Sequence, residues 1–378
     1  MLVASSVVAD VRVLREATAL AGAGHCVHVL GRDVPADGLV EPGVWLWSAS
    51  GGDGLRGRVS RAPGKRPALR RAVRWLLLPE HRRRTFNQWA RRARRVAEEI
   101  DFDVVHAHDY TALPLGHGLA RDRNVPLVYD AHELWSERHR SGRPTPLGDR
   151  WQRARERRLG TRSYVVLTVG EALAGRLHAA YGWRHVAVVR NTFPISDGDQ
   201  GPLFRPSSLV YAGRLAAGRD LETVAMASMT AGVALRLIGP SDASWVATFN
   251  PGRCQVGPPV APNEVNGLLK ASGLALVTLS DAWGNHHVAL PNKLFQAVAA
   301  GVPVVASDVG ELARTVREHG LGVLYRPGDP QSLVAAIEEA LARFPDLVCA
   351  VRLAQDTLSW SCDSATLLQV YQGLDVRR

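Results

Sequence analysis

The chain of 378 residues has no apolar run approaching the roughly 20 residues that a membrane-spanning helix needs. Its opening ten residues are apolar, but they lack a basic leader and meet Asp10 too early for a secretory signal, so a cytoplasmic chain is expected. Cysteine is scarce. Cys26, Cys254, Cys349 and Cys362 lie far apart, in none of the spacings of a metal site or redox pair, and read as buried free thiols. Lysine is scarcer, three residues against 43 arginines, so each lysine stands out. No strand leads into G-x-G-x-x-G, which speaks against a dinucleotide-dependent dehydrogenase. No helix-turn-helix, zinc-finger or RNP pattern is present, and nucleic acid is not an expected partner.

What is abundant is arginine, unevenly placed. The net charge is +10, yet residues 51–100 alone hold 15 basic and 4 acidic side chains. Arg70, Arg71, Arg74, Arg82, Arg83, Arg84, Arg91, Arg92, Arg94 and Arg95 are interleaved with Trp75, Leu76, Leu77, Leu78 and Trp89. Such a stretch suits a peripheral contact between residues 70–95 and an anionic membrane, at the inner face, or an acidic acceptor. A solvated helix face is the plainer alternative.

Short β-branched runs alternate with amphipathic stretches, the pattern of βαβ units and parallel sheets. Strands are expected at 2–8, 27–30, 104–106, 127–129, 165–169 and 186–189, and again at 209–211, 235–238, 274–279 and 302–306. Val11, Leu14, Ala17, Leu20 and Ala21 form a helical stripe ending at Gly22 and Gly24. Residues 48–67 read as a loop. The Pro- and Gly-rich stretch 191–202 reads as a linker between two doubly wound domains, 1–195 and 196–359. The final helix, 360–378, is a candidate to pack back on the first domain. Two such domains place a cleft at the carboxyl ends of their strands.

The most informative segment is 291–308. Pro291 suits a first helical turn, Gly301 and Pro303 stop the helix, and a buried strand follows. Lys293 stands in that first turn, where the helix dipole disfavours a cation, so its charge is expected to answer an anionic ligand. This segment, with Tyr211-Ala-Gly-Arg-Leu215 and then Arg219, resembles retaining glycosyltransferase family 4 and its GT-B fold of two Rossmann-like domains facing across a cleft. The resemblance implies that Arg214 and Arg219 grip the donor diphosphate with Lys293. It places Pro291, Asn292, Gln296 and His287 at the donor nucleotide and sugar. The family's Lys is Arg219 here, the Gly usual after it is Asp220, and its paired glutamates are replaced by Val288 and Gln296.

Two other runs, Val104-Val-His-Ala-His-Asp109 and Leu127-Val-Tyr-Asp-Ala-His-Glu133, end in histidine and carboxylate. They resemble the family's first-domain strands. The resemblance implies that His132 is the active-site histidine, with His106, His108, Asp109, Asp130 and Glu133 around an acceptor pocket. It also implies retention at the anomeric carbon and no metal or other cofactor. The expected activity is transfer of a hexose-type sugar from a nucleotide-sugar donor to an envelope glycan, glycolipid or small natural product. The alternatives are a GT-B epimerase or phosphorylase, and a non-catalytic transferase-like partner subunit.

Overall fold

The computed structural model describes residues 1–7, 10–34, 39–49, 86–138, 146–195, 201–202 and 204–374. The first half forms an eight-stranded sheet: β1 (Leu2–Ser6), β2 (Val27–Arg32), β3 (Leu39–Glu41), β4 (Val44–Ser48), β5 (Val105–His108), β6 (Leu127–Ala131), β7 (Val165–Thr168) and β8 (Val186–Val188). Their order across the sheet is β3-β4-β2-β1-β5-β6-β7-β8, and every pairing is parallel except β3 with β4. The second half repeats the plan with β9 (Ser208–Ala212), β10 (Ala234–Ile238), β11 (Gln255–Gly257), β12 (Gly273–Val277), β13 (Val304–Ser307) and β14 (Gly322–Tyr325). Their order is β11-β10-β9-β12-β13-β14, all parallel. In each sheet the direction of winding reverses once, between β1 and β5 and between β9 and β12, and the carboxyl ends of those strands are where such folds take ligands.

Helices cover both faces of the first sheet. On one side α1 (Val11–Gly22) presents Val13, Ala17 and Leu20 to a core that also holds Val3, Val29 and Leu167. On the other lie α2 (described over 86–98), α3 (Asp109–Arg123), α4 (Pro146–Gly160) and α5 (Glu171–Tyr181), packed through Trp89, Leu113, Leu159 and Leu173. The second domain carries α6 (Leu221–Ala227), α7 (Ala243–Val246), α8 (Val265–Ser272), α9 (Asn292–Ala299), α10 (Gly310–His319), α11 (Pro330–Ala342) and α12 (Phe344–Ala354). Pro330 opens α11 behind Asp329, whose carboxylate caps Gln331 N and Ser332 N. The chain then returns. α13 (Trp360–Gln372) packs its Leu367 and Tyr371 into the first domain's core, against α1 and β8.

The expected alternation is present, and the differences are at short or mixed elements. The sequence reading passed over β3, β4, β11 and β14, of three to five residues each. The thiols need a larger correction: only Cys254 is buried, Cys362 is half-buried, and Cys26 and Cys349 are exposed. The 48–67 loop lies largely outside the described residues. No helix among the described residues is long and apolar enough to cross a membrane.

One buried acid has a consequence for stability. Glu156 of α4 is fully enclosed and accepts hydrogen bonds from Tyr129 Oη at 2.8 Å and Tyr181 Oη at 2.7 Å. Burial pushes its carboxyl up from 4.5 to about 7, against the opposing pull of the two hydroxyls. The fold thus favours the neutral acid. The contribution is fully present below pH 4.5 and is lost as pH rises to about 7. Denaturant unfolding should show up to about 3 kcal/mol of stability lost across that window, and Glu156→Gln should remove that component. An unchanged pH profile in Glu156→Gln would refute this.

Candidate functional site

The first-domain half of the site grows from α1. Residues 12, 13, 16, 17 and 20 share one helical face, and two of them are charged. Arg12 and Glu16 are buried against the strand ends along with Val13, Ala17 and Leu20. Arg12 reaches Asp130 on β6 as a fork, Nε to Oδ2 at 2.7 Å and Nη2 to Oδ1 at 2.8 Å, and its Nη1 donates to Val189 O at 2.7 Å. Its Nε also lies 3.0 Å from Glu16 Oε1. Burial alone would raise Asp130, but Arg12 and His132 outweigh it and hold the carboxylate well below its usual range.

Asp130 Oδ2 accepts two further bonds, from His108 Nδ1 at 3.0 Å and His132 Nε2 at 2.8 Å. The other ring nitrogen of His132 lies 3.4 Å from Asp109 Oδ1. Burial opposes a charge on His132, yet Asp109 and Asp130 together push its imidazole up to about 10. At neutral pH His132 is therefore an imidazolium, a proton donor rather than a base. Asp109 begins α3 with φ +62°, a left-handed conformation costly for a non-glycine residue, and its side chain is one-third exposed. His132 is half-buried beside it.

The other expected acceptor residues separate. His106, His108 and Asp130 are completely enclosed and do not reach the cleft surface, because β5 and β6 are covered there by α1 and α13. His106 instead meets Tyr371 Oη of α13 at 2.9 Å and stacks on His108 with centroids 4.3 Å apart. They support His132 from below and are corrected from pocket lining to scaffold. Glu133 faces the second domain: Asn285 Nδ2 donates to its Oε2 at 3.4 Å and to Leu134 O at 3.3 Å. The donor atoms of Glu16, His106, His108 and Asp130 lie within 4.8 Å of one another, a grouping a metal ion could use. The Arg12 guanidinium already stands inside this group, so a divalent ion would meet a fixed positive charge.

The second half of the site is built on the β9/β12 reversal. Gly213 follows β9, and a Cβ there would lie 2.1 Å from Lys293 Cε, so only glycine lets the lysine cross it. Lys293 comes from the first turn of α9 and sets its Nζ 4.7 Å from the Tyr211 ring centroid. Burial, and then the neighbouring Arg219, lower its ammonium to about 7. Arg214 is more exposed and, without ligand, pairs with Asp242. Arg219 thus stands near enough for its charge to act on Lys293, and Arg214 follows the end of β9.

Pro291 precedes α9 as its cap, and Asn292 is exposed at the same end. Gln296 lines a small hollow with Lys293, Val210, Ala212 and Leu269. His287 is half-exposed and bonds Asp281 at 2.9 Å, whereas His286 is buried with its Nδ1 2.7 Å from Ser280 O. Sequence reasoning missed Arg12 and Glu16, and their i, i+4 placement on the apolar stripe of α1 was the available signal. It missed Tyr371 altogether, because nothing local in α13 announces a partner 265 residues away.

On the outer face, Arg91, Arg92 and Arg95 of α2 are exposed, and Arg94 pairs with Asp122 of α3. Arg70, Arg71, Arg74, Arg82, Arg83 and Arg84 lie outside the described residues.

Comparison with known proteins agrees with this geometry. Residues 9–196 match the model of Glycosyltransferase Family 4, and residues 206–343 match that of Glycosyl transferases group 1. The chain is 25% identical over 287 residues to a glycogen synthase of Mycobacterium tuberculosis, covering 71% of this chain and 68% of that protein. It is 26% identical over 318 residues to a D-inositol 3-phosphate glycosyltransferase of Rhodococcus erythropolis, covering 72% and 68%. Its fold is similar to that of a sucrose-phosphate synthase from Thermosynechococcus elongatus, with TM-score 0.70, 19% identity and coverage of 98% and 94%. It is also similar to Anabaena HepE in complex with UDP-glucose, with TM-score 0.66, 17% identity and coverage of 96% and 95%. Two parallel α/β domains, each with its polar residues at the reversal of its sheet, and family models matched in the same order along the chain make this protein a member of the family 4, group 1 glycosyltransferases.

Proposed function

We propose that this enzyme transfers a hexose-type sugar from a nucleoside diphosphate sugar with retention at the anomeric carbon, and that Arg214, Arg219 and Lys293 hold the departing diphosphate. The observation that carries this reading is Lys293 lying across Gly213 at a strand reversal, its ammonium lowered to about 7 by burial and then by Arg219. Cations held this way favour an anion that neutralises them. The leaving group is the anion such a transfer generates, and fixed charges aimed at it lower the barrier. The UDP-glucose bound by HepE is in keeping with a donor of this class.

The two halves divide the work. No carboxylate stands at Val288 or Gln296 to serve as a nucleophile. His132, already protonated, is suited to donate to a hydroxyl of the donor sugar or acceptor through Nδ1, with Asp109 beside it to accept one. Front-face attack, with the leaving phosphate taking the acceptor proton, then needs neither a base nor a metal from the protein. The acceptor is an envelope glycan, a glycolipid or a small natural product. The arginine-rich 70–95 region, on the acceptor side, would meet an anionic surface from the cytoplasmic face.

Three measurements follow. Arg214→Ala should cost ~2–4 kcal/mol in kcat/KM, the range for one preorganised charge contact, and wild-type kinetics would remove Arg214 from the grip. Nucleoside diphosphate binding should be strongest below pH 7 and weaken above it, because free Lys293 must take up a proton to meet the anion. Calorimetry at pH 8 in buffers of different ionisation heat should show close to one proton taken up, and Lys293→Ala should abolish that uptake; equal heats in all buffers would contradict this.

The product's anomeric configuration, read by NMR, should be that of the donor, with turnover persisting in EDTA. His132→Ala should lower kcat about a hundredfold and leave diphosphate affinity intact. Inversion at the anomeric carbon or full turnover in His132→Ala would overturn this part. In the arginine-rich region, neutralising Arg82, Arg83, Arg84, Arg91 and Arg92 should release the protein from anionic vesicles in a salt-dependent way without changing donor binding. Vesicle binding equal to wild type would refute the surface assignment.

A further inference from the structure

Asp220 stands directly after Arg219, where the family usually has glycine, and it adopts φ +54° and ψ +29°, a left-handed conformation that glycine takes freely and aspartate does not. A strained residue persists only where its surroundings over-determine it, and here they do. The carboxylate is nearly enclosed and takes a bond from Tyr325 Oη at 2.8 Å, one from Thr223 Oγ1 at 2.7 Å, and a longer contact from Gly328 N at 3.2 Å. Tyr325 Oη in turn accepts from Ser307 Oγ at 3.2 Å, and Ser307 Oγ accepts from Leu279 N at 2.8 Å. The chain of bonds ties the ends of β12, β13 and β14 to one residue.

The other side of the same loop is held independently. Ser280 N donates to Gly218 O at 3.1 Å, Thr278 Oγ1 donates to Arg219 O, and the Trp283 ring lies where a Cβ on Gly218 would fall, 2.2 Å away. The backbone that carries Arg219 is thus pinned from both sides, and the charge of Arg219 acts on Lys293. Asp220 is itself an odd choice beside an anion site. Burial raises its carboxyl, and the three bonds from Thr223, Tyr325 and Gly328 oppose that rise. A carboxylate next to a diphosphate repels it, so by charge alone this residue weakens the site it adjoins. Its benefit has to come through geometry.

We propose that Asp220 is a positioning residue: it fixes the backbone under Arg219 through Tyr325, Thr223 and Gly328, so that the guanidinium meets the donor diphosphate without reorganising. The proposal rests on the reading of Arg219 as a diphosphate ligand, and it adds a residue that touches neither substrate nor reacting atoms.

The test uses inorganic pyrophosphate, whose affinity does not depend on the donor base, measured by calorimetry on the full chain. Asp220→Gly removes the carboxylate while accepting the left-handed backbone at no cost, so it separates the bonds from the strain. Pyrophosphate affinity should fall about tenfold, as a misplaced ligand-binding group loses contact, although deleting a negative charge would on its own tighten binding. In an Arg219→Ala background the same change should alter affinity less than about twofold, since its target is gone. Asp220→Asn, which keeps an acceptor for Tyr325 and also tolerates this backbone, should recover most of the loss. Tighter or unchanged binding in Asp220→Gly, or an equal loss in both backgrounds, overturns the proposal and leaves the diphosphate grip standing. An Arg219→Ala variant with wild-type pyrophosphate affinity takes down the grip itself and this inference with it.

Discussion

The ion pair between Arg12 and Asp130 is the constraint on which the first-domain half of the site depends. Both partners are removed from water, a desolvation that is recovered only when geometry is good and every remaining donor and acceptor is used. Asp130 meets that condition fully, with two bonds from the guanidinium fork, one from His108 and one from His132. Removing either partner alone would leave a buried, uncompensated charge, at a cost of about 3–5 kcal/mol. The pair also sets the chemistry above it. Asp109 and the ionised Asp130 together raise the half-buried His132 and favour its protonated form.

The second-domain half obeys the opposite logic. There two like charges act on each other: burial and then Arg219 lower Lys293, and Gly213 lacks the Cβ that would strike the Lys293 side chain. One half thus rests on paired opposite charges and the other on neighbouring like charges. This division matches the order in which the two sheets reverse, since each reversal opens its own strand ends toward the shared cleft.

The parts of this arrangement that were legible in the sequence are those encoded locally. Continuous apolar runs such as 302–306 mark doubly covered parallel strands, and Pro291, Lys293, Gly301 and Pro303 mark a helix and its ligand-facing turn within a dozen residues. The short strands β3, β11 and β14 have too few residues to show a period, and tertiary pairing alone defines them. The same limit governs the site. His108, Asp109, Asp130 and His132 lie at strand ends and were visible as candidates, but nothing in the sequence separates the half-buried His132 from the enclosed His108. That difference arises from α1 and α13 covering one and sparing the other. Arg12 was hidden by distance, 118 residues from its partner, and by the expectation that an arginine in an amphipathic helix faces water.

The covering helices also connect the site to the joint between the domains. The chain crosses from the first domain to the second near residues 189–193 and crosses back through α13, and both crossings end on the same network. Arg12 Nη1 donates to Val189 O and to Asn191 Oδ1 at 3.0 Å, and Arg15, one turn of helix away, donates to Thr192 O and lies over the Phe193 ring at 4.2 Å. Asp363 of α13 is buried and takes bonds from Thr192 Oγ1 at 2.6 Å and Arg190 Nε at 3.0 Å. Tyr371, two turns further on, bonds His106, which stacks beneath His108. A change in the angle between the domains has to pass through these two crossings. It therefore acts on α1 and α13, the elements that hold Asp130 and His132 in place.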